Sequence, residues 1–303
     1  MLLICGTIPQ KDLSLIKGEV SLSGDYLHVD GVLIPCSQGT AALISAATRT
    51  TEYLETNKPQ VLLVGDDGTG KGSRLLYDYL IKNLPALSPK VLVLHYMLPI
   101  MGLMKKVCES ASKVAVRPFM MADAAAMYAA KASGLARHFD IFTPDFSELA
   151  FLADPQATHP AYVSRHLFES DVTKVPDLIS AAYGNGSAAK MLIVKGATDY
   201  IALNGCIIDQ VAEPNIPALE AIGGTGDTIS GMIGAFVHSG FTNVQAARVA
   251  VRANRKAGEY AKATPATPIR QIIEVLPRVF ESHMKEWIHQ AADGVVGVRR
   301  LNN

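Results

Sequence analysis

Residues 223–227, Gly-Gly-Thr-Gly-Asp, run directly into an apolar helical pattern set by Ile229, Met232, Ile233 and Phe236. A helix beginning there offers N–H groups with no intrahelical partner and the positive end of its dipole, which together suit a phosphate. Gly224 and Gly226, on either side of Thr225, let the backbone approach an anion with no Cβ in the way. Asp227 would repel a phosphate. It is suited instead to take a proton from a hydroxyl that attacks one. The same residues also read as a glycine-rich turn whose acid favours any helix start, and both readings are open at this point.

Two other segments carry candidate chemistry. Thr143-Pro144-Asp145-Phe146-Ser147-Glu148 follows the apolar pair Ile141-Phe142, at the carboxyl edge of an expected strand, where ligands collect in open α/β sheets. Asp145 and Glu148 face the same way on an opening helical turn. They suit a hydrated magnesium ion, or they simply favour the helix N-terminus. Lys195-Gly196 closes the apolar run MLIVKG, where the lysine could rest against phosphate or stand in solvent. Asp123, in MADAAAMYAA, reads as an acid at a helix N-terminus, with Met120 and Met121 in the core.

Residues 65–72, GDDGTGKG, have the GxxxxGK spacing of a phosphate-binding P-loop and the right setting between an apolar run and a helix. Gly72 stands where that motif needs Ser or Thr for magnesium. Asp66 and Asp67 sit where a polyphosphate would be held, and no later apolar run ends in the acid that would hold the metal. A true P-loop, a loop lining a site built elsewhere, and a plain strand-to-helix turn are the three readings.

Positioning these residues requires a scaffold of alternating strands and helices. VLLVG (61–65), VLVLHY (91–96) and MLIVKG (191–196) are continuous apolar runs of the kind buried on both faces of a sheet. Helical patterns intervene at 74–83, 99–110, 120–134 and in SELAFL, with a short strand KVAV at 113–116. MLLIC at the N-terminus reads as an edge strand, and GEVSLSG and DYLHVDGVLIP as short alternating strands. A small-residue helix starts at the cap Ser37 and is broken by Pro59. A weak helical pattern covers 154–188, YIALNG and CIID give the last strands, and helices follow at 243–262 and 268–280. The fold expected is α/β, a three-layer α/β/α sandwich with a mostly parallel central sheet. Residues 1–283 form a single domain, and 284–303 a C-terminal helix around Trp287 and a tail.

With 49% hydrophobic and 18% charged residues in 303, there is ample material for a core. Lys plus Arg and Asp plus Glu are 28 each, so net charge is zero, which argues against nucleic acid or an anionic membrane as a partner. Four scattered cysteines give no disulfide framework or zinc spacing, as in a cytoplasmic protein with reduced thiols. The histidines show no HxxxH or HExxH pattern. No apolar run is long enough to span a membrane, and the N-terminus lacks the features of a signal peptide.

In order and spacing over roughly residues 30–280, these segments resemble the ribokinase-like superfamily. The nearest branch contains the NAD(P)H-hydrate dehydratases (YjeF C-terminal, carbohydrate-kinase-related) and the hydroxyethylthiazole kinases. GGTGDTISGMIGAF resembles that family's GxGD segment and helix, TPDFSELAFL its TPN-x-x-E or TPHPGE segment, and VKGATDYIALNG its LKG strand and hairpin. QGTAALISAATRT resembles the small-residue early helix, and VLLVGDDGTGKG takes the place of the GPGLG loop. The resemblance implies Asp227 as base and Gly224, Thr225 and Gly226 as the anion hole around the transferred phosphoryl. Lys195 and Gly196 would lie beside the nucleotide phosphates, and Glu148 would act through magnesium; Asp145 stands where the kinase form has Asn. Asp66-Asp67, the absence of a GN-x-x-MA pattern before GGTGD, and the N-terminal hairpin depart from the family pattern and bear on the substrate. The implied activity is ATP- or ADP-dependent phosphorylation of a hydroxyl, with Mg2+, in a NAD(P)H-hydrate dehydratase. The alternatives are a kinase of a sugar, vitamin precursor or other small alcohol, and a nucleotide-binding regulator that has lost catalysis. A cytoplasmic homo-oligomer acting on a small molecule, with no nucleic-acid or membrane partner, is expected.

Overall fold

The protein, seen in a computed structural model that describes residues 1–157 and 172–293, opens with β1 (Leu2–Ile8). Three short antiparallel strands follow, β2 (Ile16–Ser23), β3 (Tyr26–Val29) and β4 (Val32–Pro35), and then helix α1 (Thr40–Tyr53). Strand and helix then alternate through β5 (Gln60–Gly65), α2 (Lys71–Leu87), β6 (Val91–His95), α3 (Met101–Ala111), β7 (Phe119–Asp123) and α4 (Ala125–Ala132). The pattern continues with β8 (Ile141–Phe142), α5 (Phe146–Ala153), α6 (Val175–Gly184) and β9 (Met191–Val194). The hairpin β10 (Asp199–Leu203) and β11 (Cys206–Val211) leads to the short helix α7 (Ala218–Ala221). Four helices close the described chain: α8 (Thr225–His238), α9 (Asn243–Tyr260), α10 (Ile269–Glu274) and α11 (Leu276–Asp293).

Among the described residues, one eleven-stranded sheet runs in the order β11-β10-β9-β8-β7-β6-β1-β5-β2-β3-β4. Its six central strands, β9 to β5 in that order, are mutually parallel, and both flanks are antiparallel. Side chains alternate along each central strand, so the core divides in two. Leu2, Ile4, Val61, Leu63, Val91 and Val93 face the layer of α1 and α8–α11. Leu3, Cys5, Leu62, Val64, Leu92 and Leu94 face the layer of α2–α6. This is the three-layer sandwich expected. From β1 the chain places β5 on one side and β6 on the other, so a crevice opens outside the carboxyl ends of these strands.

Several elements differ from expectation. β1 lies in the interior of the sheet and not at its edge, because a strand apolar in both directions needs cover on both faces. No strand forms at 113–116, where Val116 is exposed; FMMAD forms β7 instead. Met120 and Met121 are core, as expected, but on opposite faces of a strand. Helix α1 starts after Gly39 rather than at Ser37, and it ends at Tyr53, with Glu55 in the left-handed region well before Pro59. The pattern at 268–280 splits at Val275 into α10 and α11, and α11 carries the buried Trp287. Within the weak pattern at 154–188, α6 accounts for the end, while residues 158–171 and the tail 294–303 lie outside the described residues.

Candidate active site

Three helix starts converge on the carboxyl edge of the sheet: Gly39-Thr40 of α1, Asp145–Glu148 of α5 and Gly224–Asp227 of α8. Asp227 is held on both oxygens. Oδ1 lies 2.9 Å from His95 Nε2, at the end of β6, and Oδ2 accepts the Gly39 N–H at 2.9 Å. Burial alone would raise its carboxyl. The His95 hydrogen bond and charge, the Lys195 ammonium and the Gly39 N–H outweigh that and hold it below the usual carboxylate range, so Asp227 is an anion at neutral pH. Gly224 caps α8 in the left-handed conformation, and Thr225 Oγ1 turns back to the Leu219 and Ile222 carbonyls. The N–H groups of Gly226 and Asp227 have no acceptor among the described residues, as the second and third positions of a helix allow.

Beside this turn, Lys195 Nζ bonds both oxygens of Asp123, at 2.9 and 3.1 Å. Burial would lower the lysine, but Asp123, Glu148 and Asp227 hold it charged well above its ordinary range. Asp123 is therefore the buried carboxylate at the end of β7, and the expectation of a helix-start acid is corrected by that strand. Thr143 and Ser230 complete its shell: Ser230 Oγ donates to Asp123 Oδ2, and Thr143 Oγ1 lies 2.9 Å from Ser230 Oγ. Asp145 and Glu148 form a reciprocal cap on α5, each carboxyl accepting the other's backbone N–H, while Tyr128 donates its hydroxyl to Glu148 Oε1. Burial, opposed by Lys195 and reinforced by Asp123 and Asp145, pushes the Glu148 carboxyl up to about 8. Gly196 is clamped through Asp199 and Arg255, which bond its N–H and its carbonyl.

Two cavities meet at Asp227 and Tyr96. The smaller, ≈ 340 Å³, is lined by Asp123, Asp145, Glu148, Lys195, Gly196 and Thr225–Asp227, together with Ile216, Asn254 and Arg255. The larger, ≈ 530 Å³, is lined by Thr7, Gln38–Thr40, Asp66, Gly68, Ser73, Leu98, Ala125, Gly223 and Gly224. The loop after β5 thus lines a site built elsewhere. It is no P-loop, because Asp66 fills its own loop: the carboxylate accepts the N–H groups of Gly68, Gly70 and Ser73 and the Ser73 hydroxyl, all within 3.1 Å. Burial of Asp66 is outweighed by these donors, which hold its carboxyl below the usual range.

All the residues expected at a site therefore gather at one sheet edge, and each lines the smaller cavity or its neighbour. His95, Gly39, Thr40, Tyr96 and Arg255 were missed. The available signal was the position of His95 at the end of VLVLH, a buried parallel strand whose carboxyl end faces the ligand crevice. His95, Asp123 and Asp227 bring one donor atom each within 4.8 Å of one another. Lys195 already lies on Asp123, so the protein itself supplies positive charge there, and His95 is bonded to Asp227. The oxygen donors suited to a hydrated divalent ion are those of Asp145 and Glu148, on the wall of the smaller cavity.

The family model for carbohydrate-kinase-type NAD(P)H-hydrate dehydratase matches residues 40–278. An uncharacterized protein of Methanocaldococcus jannaschii is 37% identical over 243 residues, covering 80% of this chain and 100% of that one. Among solved structures, a ribokinase-like superfamily protein from Enterococcus faecalis aligns with a TM-score of 0.56 at 14% identity, over 94% of this chain and 86% of that one. Phosphofructokinase-2 from Escherichia coli in complex with fructose-6-phosphate gives 0.52 at 13%, over 92% and 98%. Pyridoxal kinase from Staphylococcus aureus in complex with ADP gives 0.50 at 13%, over 85% and 87%. At these identities the structural likeness establishes the ribokinase-like fold.

Proposed function

The chain belongs to the carbohydrate-kinase-type NAD(P)H-hydrate dehydratase family, and we propose that it uses ATP or ADP to phosphorylate the hydroxyl of a hydrated NAD(P)H. The observation that carries this reading is the anionic Asp227 in the wall between two cavities, one rich in charged groups and one less so. Asp227 takes the hydroxyl proton as the hydroxyl oxygen attacks the terminal phosphorus and the bond to the bridging oxygen breaks, releasing ADP from ATP or AMP from ADP. Loss of phosphate and a ring proton then restores the dihydropyridine, so the net reaction is that of a lyase. The N–H groups of Gly226 and Asp227, which have no acceptor among the described residues, stand at a turn where Gly224 and Gly226 carry no Cβ and suit the terminal phosphate. Lys195 and Gly196 lie beside the phosphates, the lysine acting as one half of its ion pair with Asp123. Magnesium, held by Glu148 and Asp145 through water, would neutralise charge between the phosphates. Zero net charge and unpatterned cysteines support a cytoplasmic enzyme with no nucleic-acid or membrane partner, and we read it as a homo-oligomer.

The test is to incubate the protein with nucleotide, magnesium and hydrated NADH and to follow the return of NADH absorbance. Asp227→Asn should lower turnover by about 10²–10⁴ while nucleotide affinity stays within a few-fold. Asn keeps the shape of the carboxylate and one of its two acceptor oxygens but not its basicity. No return of absorbance, together with phosphorylation of another small alcohol, would make the protein a kinase instead.

A further inference from the structure

His95 is fully buried and lines neither cavity, yet it is bonded at both ring nitrogens. Nδ1 lies 2.8 Å from Thr40 Oγ1, and Thr40 donates its single hydroxyl proton to the Thr7 carbonyl at 2.8 Å. Thr40 can then only accept from the ring, so Nδ1 carries a hydrogen. That leaves Nε2 facing Asp227 Oδ1 at 2.9 Å with one proton between them. The sequence makes room for this chain of bonds. A Cβ on Gly6, in the middle of β1, would stand 2.7 Å from both the His95 carbonyl oxygen and Thr40 Cγ2. Gly39 presents its N–H to Asp227 Oδ2 from a backbone at φ 70 and ψ −142, which a side chain would strain. Thus a glycine in β1 and one just before α1 make room for the bonds that fix one carboxylate on α8.

We propose that His95, steadied by Thr40, is the positioning residue for Asp227, orienting its carboxylate toward the wall between the cavities and holding the proton that balances its charge. The proposal rests on Asp227 acting as the base. The groups facing Asp227 are His95 from β6, the Gly39 N–H from α1, Lys195 after β9 and the Tyr96 hydroxyl after β6. Asp123, from β7, comes within 3.9 Å of His95, and Glu148 of α5 acts on Lys195. Among the described residues, Asp227 is hydrogen-bonded by His95 on Oδ1 and by the Gly39 N–H on Oδ2, so loss of His95 leaves Oδ1 without its donor.

Two variants separate the ring nitrogens. The amide of His95→Gln reaches Asp227 in place of Nε2, and that of His95→Asn reaches only Thr40 in place of Nδ1. The Asp227 carboxyl is followed by carbon-13 NMR against pH in protein labelled at aspartate, assigned with Asp227→Asn. His95→Asn should raise the midpoint by about one pH unit or more, and His95→Gln by clearly less. With an active substrate, kcat should fall about tenfold to a hundredfold in His95→Asn and move its acid limb upward. KM for nucleotide should stay within about twofold, and His95→Gln should recover most of the loss. If His95→Asn does not fold, Thr40→Val against Thr40→Ser reads the same contact, with the serine variant near wild type. Unmoved midpoints, or equal effects in Gln and Asn that follow melting temperature alone, would overturn the proposal. The titration needs no substrate, so shifted midpoints in a protein inactive on hydrated NADH would keep this inference and reject the function above.

Discussion

Glu148 accepts the Asp145 N–H on one oxygen and the Tyr128 hydroxyl on the other, with its carboxyl pushed up to about 8, first by burial. A group whose folded-state value is raised stabilises the fold fully below its unfolded value, about 4.3 for glutamate, and loses that stability as pH rises through the folded value. The melting temperature should therefore fall between about pH 5 and pH 8 in the wild type more than in Glu148→Gln, whose amide oxygen still accepts the Asp145 N–H. Magnesium favours the ionised carboxyl and should narrow that difference at pH 8. Melts at both pH values, with and without magnesium, decide it; parallel curves would leave Glu148 as a helix cap alone. The i, i+3 spacing of Asp145 and Glu148 made both roles legible, and the cap is the one the bonds display. His95 was not legible in the same way. Its partner Asp227 is 132 positions away, and a single histidine ending an apolar run carries no spacing to betray the pairing.

At the scale of elements, the loop between β5 and α2 shows how a motif can match in spacing and fail in charge. Its N–H groups point inward, as a phosphate loop's do, but the anion they hold is Asp66 of the same chain. Asp66→Ala should cost about 1–2 kcal/mol, the usual worth of a helix-start acceptor, because Gly68, Gly70 and Ser73 lose theirs together. Nucleotide affinity should stay within a few-fold in that variant and in Lys71→Ala, measured by calorimetric titration. A large loss in Lys71→Ala would return the phosphates to this loop. A site-lining loop and a plain strand-to-helix turn differ only in what the loop faces, and that depends on Thr7, Gln38 and Leu98 from elsewhere in the chain. Likewise β7 was hidden because FMMAD abuts an alanine-rich helix. The period changes there within two residues, too few for the apolar pattern to mark the boundary.

For the whole molecule, the apolar runs were enough to specify a covered, mostly parallel sheet, because each had to be buried on both faces. What they could not specify was strand order, since β1 looks the same at an edge or in the middle until β5 and β6 are seen on either side of it. That order sets the division of labour. The ends of β7 and β9 build the smaller cavity and the ends of β1 and β5 the larger, with Asp227 between. Donor and acceptor should consequently bind from opposite sides and be separable by mutation. Ala125, at the start of α4, lines only the larger cavity, and Ile216, after β11, only the smaller. Both are half-buried, so enlarging either should alter the stability of the unliganded fold modestly. Nucleotide at a hundred times its Kd stabilises a folded protein by about 2.7 kcal/mol, which a thermal melt resolves easily. Ala125→Phe should keep that nucleotide-dependent rise in Tm while losing turnover, and Ile216→Trp should lose the rise itself. If Ala125→Phe abolishes the rise and Ile216→Trp leaves it intact, the nucleotide occupies the larger cavity and the roles of the two sides are exchanged.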